Sequence, residues 1–495
     1  NIDTSPFLLL LLLTPLMWRR TEPREPSRRR PSRVMNWLCD SPREDQRGAF
    51  LRVSIGVVIV SAVALLATLR VAMTDVSGDG SLRFGDLPPA LHDEFSYLFQ
   101  ARTFQDGHWT YPSQSDVPRV FDQMHVLNEG RFASRYFPGT GFWIAVFSTL
   151  GSVYAGHWIA TALACSFLFL SGRELSCNGV GLLAGLLAAM SPGIDLFGNL
   201  LLSHQPTLAA LGLFLFGFLR MTRRTTGASR DQTTRPIDLK WAVLSGIGLT
   251  FAMLCRPMTA AGFASPFGIL LLLQLIRTGR QRPRDAACVV AGFAVPLLIG
   301  FSVLAIQNVE TTGSAFRSPY QLYTELFTPR HMYGFNNVER AEPLQTPRVL
   351  KHYDEWAENL DAELALQNVK LRLITSCQWT LGIVALLLST CVFCGSAGTL
   401  LPGSQPASEG SEPATAGQSA DSAAEWFDSR WWLILASIVS LHVVHIPYWF
   451  DGILHWHYVF ESSVLWCLLA SAATLLIVRL ARAQQRGLLP FWWGG

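Results

Sequence analysis

The chain has 495 residues, of which 50% are hydrophobic and only 15% charged, with a formal net charge of +3. Soluble domains carry charge at about 25% of positions, so this composition excludes a protein with an aqueous surface on every side. The small net charge says little by itself; the placement of the arginines says more.

At the amino end, residues 7–17 (FLLLLLLTPLM) are apolar but too short to span a bilayer, like the core of a signal peptide. Residues 19–33 are rich in Arg, Pro and Ser, the composition of a disordered segment. The chain begins with Asn1, and a start near Met35 is expected; residues 1–50 read as a basic, disordered, cytoplasmic segment. Apolar stretches long enough to cross the hydrocarbon layer follow at 51–73, 153–172, 179–197, 203–220, 240–255, 258–276, 285–306, 371–394, 431–449 and 459–480. Runs such as GVGLLAGLLAAM (179–190) carry the small residues that helix packing in lipid favours. The expected fold is all-α, a polytopic membrane bundle of about ten helices.

Four arginine-rich segments set the orientation. They are the stretch before residue 51; the 220–240 connection with Arg220, Arg223, Arg224, Arg230, Arg235 and Lys240; Arg277, Arg280, Arg282 and Arg284; and Arg479, Arg482 and Arg486. With this set of spans all four fall on one side, which the positive-inside rule makes cytoplasmic together with both termini. The short apolar stretch 139–151 then reads as an interfacial or re-entrant helix. A core over 51–394 carries two large outer loops, 74–152 and 307–370. A Ser/Ala/Gly/Pro-rich cytoplasmic linker occupies 395–430 and a helix pair with a tail 431–495.

Of the nine cysteines, Cys165, Cys177, Cys255, Cys288, Cys377 and Cys467 lie in or beside apolar segments, where a thiol serves as a small apolar filler. Cys39 stands before the first span, and Cys391 and Cys394 form a single C-x-x-C with no second pair to make a zinc site. Trp109, Trp143, Trp158, Trp431, Trp432, Trp449 and Trp456 stand near span ends, as interface anchors do.

The first outer loop is the richest in chemistry. A Gly- and Asp-rich turn (SGDGSLRFGDLPP) leads to Asp93 and Glu94 at the start of an amphipathic helical pattern through Phe95, Leu98, Phe99, Arg102 and Phe104. Acid at a first turn also complements the helix dipole, a purely structural role. The run HVLNEGRFASRYFPGTGFWIAV follows. An acidic pair after the first membrane helix and Arg135-Tyr136-Phe137-Pro138-Gly139 before the second resemble motifs of the GT-C superfamily of polytopic glycosyltransferases. The resemblance is to the branch of protein O-mannosyltransferases, aminoarabinose transferases and lipopolysaccharide galacturonosyltransferases, and it covers most of residues 50–325, including the 191–216 junction and the 308–323 segment. Gln205 stands where many relatives carry Asp, and Arg135 where many carry Lys.

That resemblance implies transfer of a glycosyl group from a polyprenyl-phosphate carrier to a lipid, glycan or protein acceptor of a bacterial cell envelope, on the outer face of the cytoplasmic membrane. It makes Asp93 the candidate base and Glu94 its partner. The chemistry is consistent: such a transfer needs a base for the acceptor hydroxyl and cations for the departing phosphate. Arg135, with Tyr136 beside it, is the candidate phosphate clamp, because a guanidinium matches phosphate oxygens. Arg256 is a second clamp, or snorkels to headgroups. His204, Arg317, Tyr320, His457 and Tyr458 complete the expected substrate contacts. His442, His445, Asp451, His455, His457 and Glu461 crowd the last outer turn, where a divalent metal ion is one reading and hydrogen bonding at the interface the other. No dinucleotide or P-loop fingerprint occurs, and no nucleic-acid partner is expected. The rival reading is a transporter or lipid flippase; an inactive scaffold is a third.

Overall fold

The computed structural model describes residues 37–38, 49–114, 116–117, 120–223, 239–279, 282–337, 357–382, 430–449 and 455–485. All of the 395–430 linker but Arg430, nearly all of the 1–50 segment, Cys39, Cys391, Cys394 and Asp451 lie outside the described residues.

Helix α1 (Ala49–Ala72) opens the bundle. Four helices among the described residues are long and apolar enough to cross a membrane, at Val53–Ala72, Ala155–Leu175, Pro257–Arg277 and Pro283–Thr312, and four shorter ones are apolar. The expected 179–197 span is instead two helices: Pro192 stands at the first position of the second, where its missing N–H costs nothing, and disfavours the helical region for Ser191, which is extended. The expected span at 371–394 starts early, as a helix from Ala362, and closes at Thr380 before Gly382 with its φ of 83°; residues 383–394 lie outside the described residues.

After α1 the chain makes a tight loop. Asp75 accepts from the backbone N–H groups of Ser77 (3.0 Å) and Gly80 (2.9 Å), and Asp79 accepts from that of Ser81 (2.9 Å). Asp75, Ser77, Asp79, Gly80 and Asp86 stand at the spacing of a twelve-residue EF-hand loop, with Ser for Asp at the third place and Asp for Glu at the last. Helix α2 (His92–Gln105) follows, then a small antiparallel sheet of β1 (Tyr111–Pro112), β2 (Val126–Glu129) and β3 (Arg131–Ser134) in the order β1-β3-β2. Gly130, at φ 72°, makes the β2–β3 turn and sets Val126 opposite Ser134. Pro138 begins α3 (Pro138–Thr149), whose 12 residues are too few to cross a bilayer.

The bundle continues through α4 (Ala155–Leu175), α5 (Asn178–Ala189), α6 (Pro192–Phe197), α7 (His204–Met221), α8 (Leu239–Cys255), α9 (Pro257–Thr278) and α10 (Pro283–Thr312). Close approach of α4 and α5 requires glycine: a Cβ on Gly181 would lie 2.2 Å from the Phe169 carbonyl oxygen. The second loop holds α11 (Pro319–Phe327), then α12 (Ala362–Thr380) leads to α13 (Trp431–Val444) and α14 (Ser462–Gln485). Trp431 and Trp456 are 1% and 0% exposed, so they fill the core rather than anchor an interface.

The two ends of the bundle differ. At one end the buried Glu174 carboxylate meets Arg220 (2.7 Å) and Arg173 (3.5 Å), while Arg430 donates to the Leu219 carbonyl (2.6 Å), tying α4, α7 and α13 together. The other end is capped by α2, the sheet, α3 and α11, and opens on a cavity.

Candidate active site

The cavity measures about 540 Å³ and lies where the first turn of α2, the turn before α3, the start of α7, the α8–α9 junction, the start of α11 and His445, Tyr448, His457 and Tyr458 converge. Asp93, Arg135, Tyr136, His204, Arg256, Tyr320, His457 and Tyr458 all line it, although they come from segments far apart in sequence.

Asp93 stands in the first turn of α2 with its side chain 34% exposed, toward the cavity. Tyr136 donates its phenolic hydrogen to Oδ1, and Nε2 of His125 lies 3.6 Å from Oδ2. Burial pushes this carboxyl up, but His125, the Tyr136 hydrogen bond, His457 and Arg135 outweigh it and hold it below its ordinary 3.8. Asp93 is therefore a carboxylate at neutral pH.

Glu94, one residue on, points elsewhere, as the 100° turn per residue requires. It is 1% exposed and accepts backbone N–H groups of Ala90 (3.0 Å), Leu91 (3.1 Å) and, from the α6–α7 junction, Leu201 (2.8 Å). It is outside the cavity lining; its carboxylate caps α2 and staples it to the bundle. The structure thus does not bring Glu94, expected beside Asp93 in the chemistry, to the cavity.

The Arg135 turn is held from two sides. The Tyr136 carbonyl accepts from Gln100 of α2 (2.8 Å) and Gln307 of α10 (2.9 Å). Arg135 is 4% exposed, with its guanidinium carbon 4.0 Å from the Tyr320 ring centre and 4.7 Å from that of Tyr323. It has no carboxylate in ion-pair contact among the described residues, and its buried Nε has no hydrogen-bond partner. Nη1 reaches Nδ1 of His125 at 3.4 Å.

His125 is the least ordinary residue of the site. Its φ of 67° is left-handed, a conformation that costs a non-glycine residue about 1–3 kcal/mol. Three hydrogen bonds hold it there: its N–H donates to the Tyr323 hydroxyl (3.0 Å), and its carbonyl accepts from Ser96 Oγ (2.7 Å) and the Arg135 N–H (3.1 Å). Burial lowers the imidazole to about 4, with Asp93 opposing and Arg135 adding to the fall, so the ring is neutral near pH 7.

The second cation is arranged differently. Arg256 lies 3.6 Å from the buried carboxylate of Glu461, donates to Thr259 Oγ1 (3.2 Å) and abuts the His204 ring, whose Nε2 is 2.9 Å away. His204 is also 3.2 Å from Glu461, and His457 meets its ring edge-on at 5.8 Å. The Arg256 charge is thus already matched inside the fold. An aromatic wall completes the cavity: the Tyr320 and Tyr448 hydroxyls are hydrogen-bonded, the Tyr448 and Tyr458 rings pack at 4.9 Å, and Arg372 donates to the His445 (2.7 Å) and Tyr448 (2.9 Å) carbonyls.

Arg317 does not join the site. It pairs with Glu325 on α11 and is 43% exposed. In the histidine-rich turn His442 and His445 each bond the carbonyl four residues back (2.8 Å both), and among the described residues no group of three His, Cys, Asp or Glu is placed to hold an ion. Residues that the sequence did not single out are His125, Tyr323, Tyr448, Gln100 and Gln307. For His125 a retrospective signal exists, since the β2–β3 hairpin closed by Gly130 must return Arg135 beside it.

No family model matches the chain, and a search of curated proteins finds no match. Among solved structures it is similar to the oligosaccharyltransferase of Archaeoglobus fulgidus in the apo form, at 14% identity and a TM-score of 0.47, over 89% of this chain and 53% of that one. The structure of archaeal oligosaccharyltransferase AglB from the same organism, in complex with an inhibitory peptide and a dolichol-phosphate, is similar at 13% identity and a TM-score of 0.45, over 90% and 52%. The complex with Zn and sulfate gives 14% and 0.45, over 88% and 51%. The chain spans about half the length of these structures.

Proposed function

We propose that this protein is a membrane glycosyltransferase that moves a sugar from a polyprenyl-phosphate donor to a cell-envelope acceptor at the outer face of the cytoplasmic membrane. The observation that carries the reading is the placement, on the wall of one cavity, of an ionised Asp93 and a buried Arg135 with no carboxylate partner among the described residues, at the end of the bundle opposite the Glu174 arginine cluster. The positive-inside rule then puts that cluster in the cytoplasm and the cavity outside.

In this reading the acceptor hydroxyl sits against Asp93 and attacks the anomeric carbon of the donor. As the new C–O bond forms, the hydroxyl becomes acidic and its proton passes to the Asp93 carboxylate. The bond from the anomeric carbon to phosphate breaks, its electron pair stays on the phosphate oxygen, and Arg135 takes up that charge. A carboxylate held below 3.8 suits such a late transfer, because it is ionised before the acceptor arrives. Tyr320, Tyr448 and Tyr458 give the sugar flat faces to lie on. Glu94 keeps Asp93 in place, and Arg256, matched by Glu461, shapes the cavity floor with His204 and His457. A membrane transporter would instead place its ionisable groups along a path near mid-membrane; here the Glu174 cluster and the cavity groups lie at the two ends of the bundle.

The test is mass spectrometry of envelope glycans and glycolipids from a deletion strain complemented with the wild type or with Asp93→Asn. One sugar-sized unit missing from the deletion and from the Asp93→Asn strain, and restored by the wild type, supports the reading. An unchanged profile in the deletion strain contradicts it.

A further inference from the structure

Asp93 and Arg135 carry opposite charges, face one cavity, and yet form no direct ion pair. Left to themselves, two such groups attract strongly in a partly buried setting. Had they met, the carboxylate would have no free edge for an acceptor hydroxyl and the guanidinium none for a phosphate. The His125 ring occupies the space between them, with Nε2 3.6 Å from Asp93 Oδ2 and Nδ1 3.4 Å from Arg135 Nη1.

The hydrogen inventory fixes which tautomer this requires. A guanidinium can only donate, so Nδ1 accepts and the single ring hydrogen is on Nε2, toward the carboxylate. The imidazole therefore offers an acceptor to the cation, and its Nε2 lies 3.6 Å from the anion, beyond hydrogen-bond distance, without adding charge to either. Its backbone is held left-handed by hydrogen bonds from three elements, the Tyr323 hydroxyl on α11, Ser96 on α2 and the Arg135 N–H after β3. Ser96 Oγ is braced in turn by Ser134 Oγ at 2.8 Å. An energetically unfavourable conformation fixed this thoroughly at a cavity wall points to a functional demand.

We propose that His125 is a neutral wedge that keeps the base carboxylate of Asp93 and the phosphate-binding guanidinium of Arg135 apart, so that each stays available to its own substrate. It is a positioning residue and touches neither substrate. The inference rests on the glycosyl-phosphate reading above and adds to it why a strained histidine separates the two charges.

The wedge makes a prediction that a merely structural role does not. In His125→Gly the left-handed backbone is relaxed, the ring is gone, and Arg135 collapses onto Asp93. Removing the charge of Asp93 as well must then free Arg135 again. The experiment titrates farnesyl phosphate, a short polyprenyl phosphate, into the full chain in nanodiscs for the wild type, His125→Gly, Asp93→Asn and the double variant. His125→Gly should bind at least roughly tenfold more weakly, and the double variant should return to the affinity of Asp93→Asn. His125→Asn, whose side chain tolerates the left-handed backbone and offers an oxygen near the Nδ1 position, should fall between wild type and His125→Gly. Wild-type affinity in His125→Gly, or a double variant as weak as His125→Gly, overturns the wedge while leaving the glycosyl-phosphate reading intact. Failure of both wild type and Asp93→Asn to bind farnesyl phosphate overturns that reading, and the wedge with it.

Discussion

The Tyr136 hydroxyl donates to the Asp93 carboxylate, joining the turn before α3 to the first turn of α2 across 43 residues of sequence. Asp93 is fixed on one oxygen by Tyr136 and approached on the other by His125, and its exposed edge faces the cavity. Replacing it with Asn keeps the shape and the Tyr136 contact but cannot take a proton. Sugar transfer should fall by about 10²–10⁴-fold, the range that general-base catalysis supplies. Expression and melting temperature in detergent should stay near wild type.

Arg135 and Arg256 should behave differently. Arg135 has no carboxylate partner among the described residues, so Arg135→Gln should weaken phosphate binding and slow transfer by about 10²–10³-fold with modest loss of stability. Arg256→Gln strands the buried Glu461 carboxylate, at a cost of about 3–5 kcal/mol. Adding Glu461→Gln should recover much of that loss. Thermal melting read beside transfer rates separates the two cases.

Glu94 contributes to the fold. Glu94→Ala leaves three backbone N–H groups without their acceptor, those of Ala90, Leu91 and Leu201, and should destabilise the protein by about 1–3 kcal/mol. Glu94→Gln keeps one acceptor oxygen and should retain more of both stability and activity. A fully stable Glu94→Ala protein without activity would instead assign Glu94 a chemical role.

His125 also makes stability depend on pH. Its folded value of about 4 lies below the ordinary 6.5, so between those limits the unfolded chain binds the extra proton. Stability from this group is complete above about 6.5 and is lost as pH falls toward 4, by at most about 3 kcal/mol. His331, lowered by burial to about 3, adds in the same direction. Melting curves from pH 7.5 to 4 should slope less steeply for His125→Asn than for the wild type.

Much of the site was legible in the sequence because its chemistry sits on strong local signals. The acidic pair falls where a helix must begin, and the Arg-Tyr-Phe-Pro-Gly run falls where a proline must start the next one. Which of the two acids faces the cavity was not legible. Leu201, 107 residues on from Glu94, decides it by offering an N–H to one side of α2. His125 was hidden for a related reason: its left-handed backbone is imposed by Tyr323, 198 residues away, and by Ser96, with no glycine or asparagine to announce it. The break at Ser191–Pro192 was visible as a proline, but mean hydropathy over 179–197 concealed it. Trp431 and Trp456 show that a tryptophan near a span end is as readily core as anchor.

The central claim is that Asp93 takes the acceptor proton while Arg135 holds the phosphate. The most direct measurement is transfer of a radiolabelled sugar from a polyprenyl-phosphate donor by the purified chain in nanodiscs, set beside farnesyl phosphate binding, for the wild type and Asp93→Asn. The account predicts an Asp93→Asn protein that binds the lipid phosphate as well as the wild type and transfers almost no sugar. Transfer at the wild-type rate by Asp93→Asn would contradict it.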